Sequence, residues 1–243
     1  MDKSLPIAIF IGVDPRERVA ANVLIDSLLT HSTTPLAITP LITPQLEQQG
    51  LYWRHKDPKQ STSFSFSRFL VPQLLNFQGW GIFMDCDMLC RADISELWAL
   101  RDENYALMCV KHQHIPTETT KFLGEPQSAY PRKNWSSLML FNANKCKTLT
   151  PQYVNNASGL ELHRFHWLAD QSEREDSNRE DSDQAIGSLP PQWNHLVGVQ
   201  EPDPSAKILH FTLGGPWFEG QNSFYNTEWF WARDQAMKLY QQP

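Results

Sequence analysis

Trp80 to Met88, WGIFMDCDM, is an uncharged, largely apolar run that stops abruptly at two aspartates, Asp85 and Asp87, with only Cys86 between them. Gly81-Ile82-Phe83-Met84 has the length and composition of a buried strand, and side chains two apart at a strand's end can converge on one point just outside the sheet. Two carboxylates there make a hard, anionic oxygen site for a divalent cation. Mg²⁺ and Mn²⁺ sites usually combine one or two carboxylates with substrate phosphates and water, so a phosphate-bearing ligand is the natural companion.

Spacing alone does not single out this pair. The chain has 14 aspartates in 243 residues, enough for about one Asp-x-Asp by chance. Asp181-Ser182-Asp183 repeats the pattern inside a hydrophilic charge run, where solvated loop carboxylates are the expectation. A helix-capping role for Asp85 or Asp87 is disfavoured because Asp93 stands directly before the amphipathic stretch DISELWAL and is better placed to cap it.

A chain of this length buries a substantial core and fits one compact α/β domain or a domain with a small appended lobe, read here as a single catalytic unit. The net charge of −6 and pI near 5.7 argue against general nucleic-acid binding, which needs a basic face to meet phosphates. The opening MDKSLPIAIFIGVDPRE has an apolar run of only about eight residues, ended by Asp14 and lacking a small-residue cleavage site. It therefore reads as a first strand, with neither a signal peptide nor a transmembrane segment. Cys86, Cys90, Cys109 and Cys146 lie in or beside apolar segments without C-x-x-C pairing, which favours reduced core thiols in a cytoplasmic protein over a zinc site or disulfides.

Ile7 to Val13 is a β-branched apolar run, and Val19, Val23, Leu24 and Leu28 give helical spacing over Val19 to Leu29. The intervening loop, Asp14-Pro15-Arg16-Glu17, falls at the carboxyl end of a strand, where open α/β sheets place ligand contacts. Leu36 to Ile42 is extended, Ser67 to Leu75 is a short helix carrying Arg68, and the strand ending in Asp85 follows. With a helix near Asp93 to Leu100 and a strand at Tyr105 to Val110, the first 110 or so residues alternate as a parallel α/β sheet would. Beyond them come a polar loop from Gln113 to Arg132 and a strand-like run from Trp135 to Phe141. Gln171 to Asp183 is a mixed-charge segment expected to be a solvated, mobile loop. Lys207 to Phe211 is a short strand, a Gly-Gly-Pro turn covers 214 to 216, and Thr227 to Tyr240 closes the chain as a helix. In HFTLGGPW, His210 ends an apolar strand, and two glycines let the backbone approach a ligand closely; an ordinary turn with a packed Trp217 is the alternative.

Taken in order, these segments resemble the metal-dependent GT-A glycosyltransferases, particularly those related to glycosyltransferase family 8. SRFLVPQLLNFQGWGIFMDCDML is similar to their helix arginine and D-x-D strand, and NWSSLMLFN to their asparagine-led strand. DQAIGSLPPQWN is similar to their Asp-Gln segment, and HFTLGGPW to their closing motif. The resemblance implies an α/β, Rossmann-type nucleotide-diphospho-sugar transferase fold with a mixed central sheet. It implies one domain over 1–243, with a nucleotide-binding half at 1–112 and an acceptor-side half at 113–243. Asp85, Asp87 and His210 would hold Mn²⁺ or Mg²⁺ on the diphosphate of a nucleotide sugar, UDP-linked by preference. Asp14, Arg68, Asp85, Gly214, Gly215 and Trp217 would contact that donor, and Arg68, Asp183 and Gln184 would serve catalysis. The acceptor, whether glycan, lipid or protein, stays open, as does the stereochemical outcome.

The chain departs from the family's H-x-x-G-x-x-K-P-W by one residue fewer and by Gly215 before Pro216-Trp217, so the usual diphosphate lysine is missing. Lys133, Lys207 and Arg132 are compensators only by conjecture. A sugar nucleotidyltransferase would show a glycine-rich basic loop after the first strand, where this chain has GVDPRERVA. A P-loop hydrolase would show G-x-x-x-x-G-K-[ST]. A nucleotide-sugar-binding protein without turnover is the remaining rival, since fold does not imply function.

Overall fold

The computed structural model describes residues 6–55, 60–113, 132, 134–168 and 184–238. The charged segment 171–183, and the polar loop 113–132 apart from its two end residues, lie outside the described residues.

The first strand, β1 (Ile7–Gly12), is buried along almost its whole length. Asp14 then accepts a hydrogen bond from Arg16 N and opens a 3-10 turn over Pro15–Glu17, which leads into the helix Arg18–His31. That helix buries Ala20, Ala21, Val23, Leu24, Ser27 and Leu28, the i, i+3, i+4, i+7 spacing of an inward stripe. Val19, expected in the stripe, is exposed. The helix serves two cores: Ala21, Leu24 and Leu28 face the main one, while Ala20 and Val23 enter a smaller one with Leu209, Phe211, Tyr225 and Trp229.

Strands β2 (Leu36–Leu41), β3 (Trp80–Asp85), β4 (Met88–Cys90), β5 (Leu107–Cys109), β6 (Leu138–Asn142), β7 (Ile186–Ser188), β8 (His195–Leu196) and β9 (Ile208–His210) follow. Among the described residues they form a six-stranded sheet in the order β2-β1-β3-β6-β5-β7 and a three-stranded sheet in the order β4-β9-β8. β1 is parallel to both β2 and β3, and β5 is parallel to β7. β6 runs antiparallel between β3 and β5. This corrects the expectation of a parallel sheet through residue 110: β5 keeps the direction of β3 but is separated from it by a strand from later in the chain. The sheet is mixed, as the family resemblance implied.

Ser67 to Leu75 divides into a 3-10 turn over Ser67–Leu70 and an α-turn over Val71–Leu74. The proline at 72 fits there because a helix's first turn has no use for its missing N–H. Trp135–Ser137 is likewise a 3-10 turn, and the strand begins only at Leu138. Asp93 caps the helix Ile94–Trp98, accepting from Ser95 N at 2.8 Å. The closing helix is Asn226–Lys238.

A candidate metal and donor site between two sheets

The Asp-Cys-Asp stretch is the hinge between the sheets. Asp85 is the last residue of β3 in the large sheet, and Asp87 immediately precedes β4 in the small one. β4 pairs antiparallel with β9 in a register that sets Met88 opposite His210, and Phe211 N donates to Asp87 O at 2.9 Å. Strand pairing thus carries His210 from the far end of the chain to the two aspartates. One ligand atom from each of Asp85, Asp87 and His210 falls within 4.8 Å of the others. His210 Nε2 lies 3.4 Å from Asp87 Oδ1.

Arg68 reaches the same point. Its Nη1 lies 2.9 Å from Asp85 Oδ1 and donates to Ser136 O at 2.7 Å. The guanidinium sits over the rings of Phe64 and Phe83, 5.2 and 5.0 Å from their centroids. Gly12 is the residue of β1 in register with Asp85, and a Cβ there would fall 2.3 Å from the Phe64 ring. The absent side chain is what lets Phe64 lie against the strand end and carry Arg68.

The loop after β1 adds two more carboxyls. Asp14 is buried and accepts from Arg16 N, Nε and Nη2 and from Ser63 N, each at 2.9 to 3.0 Å. Burial pulls its pKa upward, but the Arg16 hydrogen bonds and charge, with the Ser63 N–H, hold it below the ordinary aspartate value. Glu17 is 1% exposed. Burial first, and then the charges of Asp87, Asp14 and Asp85, push its carboxyl up to about 9. Sequence reading did not single out Glu17; the available signal was an acid placed directly before an apolar helix. Cys86, between the aspartates, is fully buried, and its thiol is pushed far up by burial and by these neighbouring acids, so it is inert.

The expected residues of the last motif are placed differently. Gly214 has φ +99, a conformation that favours glycine. A Cβ on Gly215 would strike the Trp217 ring at 2.1 Å. Trp217 itself packs on Phe211 and Trp229, with centroids 5.7 and 5.0 Å away. The turn therefore has a packing role that accounts for Gly215 and Trp217. Gln184 is exposed, two residues before β7. Asp183 and Lys133 lie outside the described residues.

Neither described compensator for the missing lysine is directed at the triad. Lys207, just before β9, pairs with Glu96 and lies 4.9 Å over the Trp193 ring. Arg132 donates to Arg164 O and lies near the Trp135 and Phe165 rings. Among the described residues, the cations gathered at this end of the large sheet are Arg68, on Asp85, and Arg16, on Asp14.

The family model for Glycosyl transferase family 8 matches residues 19–158, more than half of the chain. The chain belongs to glycosyltransferase family 8. It is 48% identical over 221 residues to Protein CDI of Arabidopsis thaliana, covering 88% of this chain and 80% of that protein. Its structure resembles that of the WbbM bifunctional glycosyltransferase, with a TM-score of 0.62 at 13% identity over 99% of this chain. This chain spans about half of WbbM, 52% of its length. It also resembles the galactosyltransferase LgtC, crystallised with donor and acceptor sugar analogues, with a TM-score of 0.52 at 11% identity over 94% of this chain and 96% of that one. At such identities the structural likeness establishes the fold, which is GT-A. This family 8 chain is a glycosyltransferase, with a candidate Asp-Asp-His metal site at the junction of its sheets.

Proposed function

We propose that this glycosyltransferase moves a sugar from a nucleotide diphosphate sugar, UDP-linked by first preference, to a glycan, lipid or protein acceptor, with a divalent metal held by Asp85, Asp87 and His210. The observation that carries this reading is the convergence of those three ligand atoms within 4.8 Å. The donor set fits: two carboxylates and one imidazole, completed by phosphate oxygens and water, suit Mn²⁺ somewhat better than Mg²⁺ because imidazole is softer than oxygen. When bound, the cation supplies Lewis-acid stabilisation to the charge that grows on the leaving diphosphate.

In this reading Arg68 has two tasks. Its bond to Asp85 and its anchoring on Ser136 O hold that carboxylate in a single orientation, and its charge stands beside the donor sugar. The Asp14–Arg16 pair shapes the nucleotide side, and the backbone at Gly214 and Gly215 lines the diphosphate side. Trp217 supports that turn from behind, and Asp183 and Gln184 act at the sugar. The division into a nucleotide-binding half, 1–112, and an acceptor-side half, 113–243, belongs to the same proposal. Strand β4 of the first half pairing with β9 of the second supports a single working unit. A reducing, cytoplasmic setting is supported by the burial of all four cysteines in the core.

A thermal-shift screen of UDP, GDP, CDP and ADP, each with and without Mn²⁺, tests the proposal, because a ligand of the folded state raises apparent stability with its occupancy. The expected result is a rise with UDP only when Mn²⁺ is present. A nucleotide shift of equal size without any divalent cation would overturn the metal reading.

A further inference from the structure

Asn194 is fully buried, and neither the proposed metal shell nor the donor contacts use it. It stands at the end of the 3-10 turn Pro191–Asn194, directly before β8. Two hydrogen bonds pass through it, and a third continues the chain. Ser137 Oγ donates to Asn134 O at 2.7 Å, Asn194 Nδ2 lies 2.9 Å from Ser137 Oγ, and Asn194 Oδ1 lies 3.0 Å from His210 Nδ1.

The direction of this chain follows from counting protons. A serine hydroxyl has one hydrogen, and a backbone carbonyl only accepts, so the Ser137 hydrogen is committed to Asn134. Ser137 Oγ must then accept from Asn194, which fixes which end of the carboxamide is nitrogen. Asn194 Oδ1 is left facing His210, and the imidazole must carry its hydrogen on Nδ1. In the neutral ring the lone pair then lies on Nε2, the atom 3.4 Å from Asp87 Oδ1 in the group that includes Asp85. Metal-ligating histidines are generally oriented by such a partner on the other ring nitrogen. The relay also ties the two sheets together, because Ser137 precedes β6 of the large sheet and His210 ends β9 of the small one.

We propose that Asn194, oriented by Ser137, is a positioning residue that locks His210 in the Nδ1–H tautomer and so presents Nε2 to a divalent cation. The role in cation binding rests on the metal reading above; the tautomer does not, and is measured without metal. The test is ¹⁵N-edited NMR of the histidine rings at pH 8 on the full chain, with His210 assigned among the eight histidines by the signal lost in His210→Gln. Electron paramagnetic resonance of free Mn²⁺ gives the affinity in parallel.

Wild-type protein is expected to show a bare, pyridine-like Nε2 on His210. Asn194→Leu is expected to shift the ring toward Nε2–H and to weaken Mn²⁺ binding about 10- to 100-fold, while Asn194→Asp, which still accepts from Nδ1–H, keeps the wild-type tautomer. An Nε2–H ring in the wild type, or a folded Asn194→Leu with wild-type tautomer and Mn²⁺ affinity, overturns the proposal. If Asn194→Leu fails to fold, Ser137→Ala replaces it: a mixed tautomer supports the relay, and an unchanged one overturns it. If wild-type protein binds no Mn²⁺, the metal reading fails, and the tautomer spectra alone decide the role of Asn194.

Discussion

Glu17 lies among Asp14, Asp85 and Asp87, and burial with their negative field keeps its carboxyl protonated to about 9, against an ordinary value of 4.5. A group that binds its proton more tightly in the folded state contributes stability in full below its unfolded pKa. That contribution is lost as pH rises through the folded value, so the metal-free protein is expected to weaken steadily between about pH 5 and pH 9. Glu17→Gln removes the ionisation while keeping the shape. It should flatten that slope and raise Tm at pH 8.5 by several degrees, 1 kcal/mol being worth about 2–4 °C in a chain of this size. Melts across this range check it; a variant whose Tm falls in parallel with wild type would show that Glu17 is ionised throughout. Gly12 makes an opposite kind of demand. Its missing Cβ leaves room for the Phe64 ring, which is buried and carries Arg68, so the ring cannot yield without moving the arginine. Gly12→Ala should cost about 1–3 kcal/mol, the usual range for overpacking, and lower the melting temperature accordingly. An unchanged melt would show that Phe64 is free to move.

Lys207 stands just before β9, where Glu96 and Trp193 hold it. Lys207→Ala is therefore expected to leave Mn²⁺-dependent UDP affinity within about two-fold of wild type, as surface changes away from a site generally do. A tenfold loss by calorimetry would restore it as the replacement for the missing lysine. The elements easiest to read in the sequence were those with a full local period: β1, the helix Arg18–His31, and β3 with its two terminal aspartates. β4 and β8 were not readable, because two or three residues are too few to show alternation. The run at Leu138 announced a strand but not its neighbours, since the placement of β6 between β3 and β5 is a long-range pairing that local pattern does not encode. Likewise the contact of Asn194 with His210 is made only once β8 pairs with β9. The Asp85–Asp87 pair was visible from residue chemistry, whereas the third member of the cluster was reached only through family resemblance.

At the scale of the whole molecule, the site exists because two sheets share one short connector. The large sheet ends β3 on Asp85, the small sheet begins after Asp87, and the pairing of β4 with β9 closes the gap to His210. Among the described residues four carboxyls, those of Asp14, Glu17, Asp85 and Asp87, meet two guanidinium groups at this junction: Arg68 is bound to Asp85, Arg16 to Asp14, and Glu17 holds its proton. A divalent cation and the diphosphate it accompanies answer that imbalance, which is why metal and nucleotide are expected to bind together rather than separately. Asp87→Ala relieves repulsion between neighbouring carboxyls, so thermal stability without metal should hold or rise, whereas Asp85→Ala leaves the buried Arg68 guanidinium without its 2.9 Å carboxylate and should melt lower. The most direct measurement is calorimetric titration of UDP into wild type, Asp85→Ala and Asp87→Ala with Mn²⁺ present. Wild type should bind UDP only with Mn²⁺, and both folded variants should lose that binding; wild-type UDP affinity in either variant would contradict the assignment of the junction as the metal and donor site.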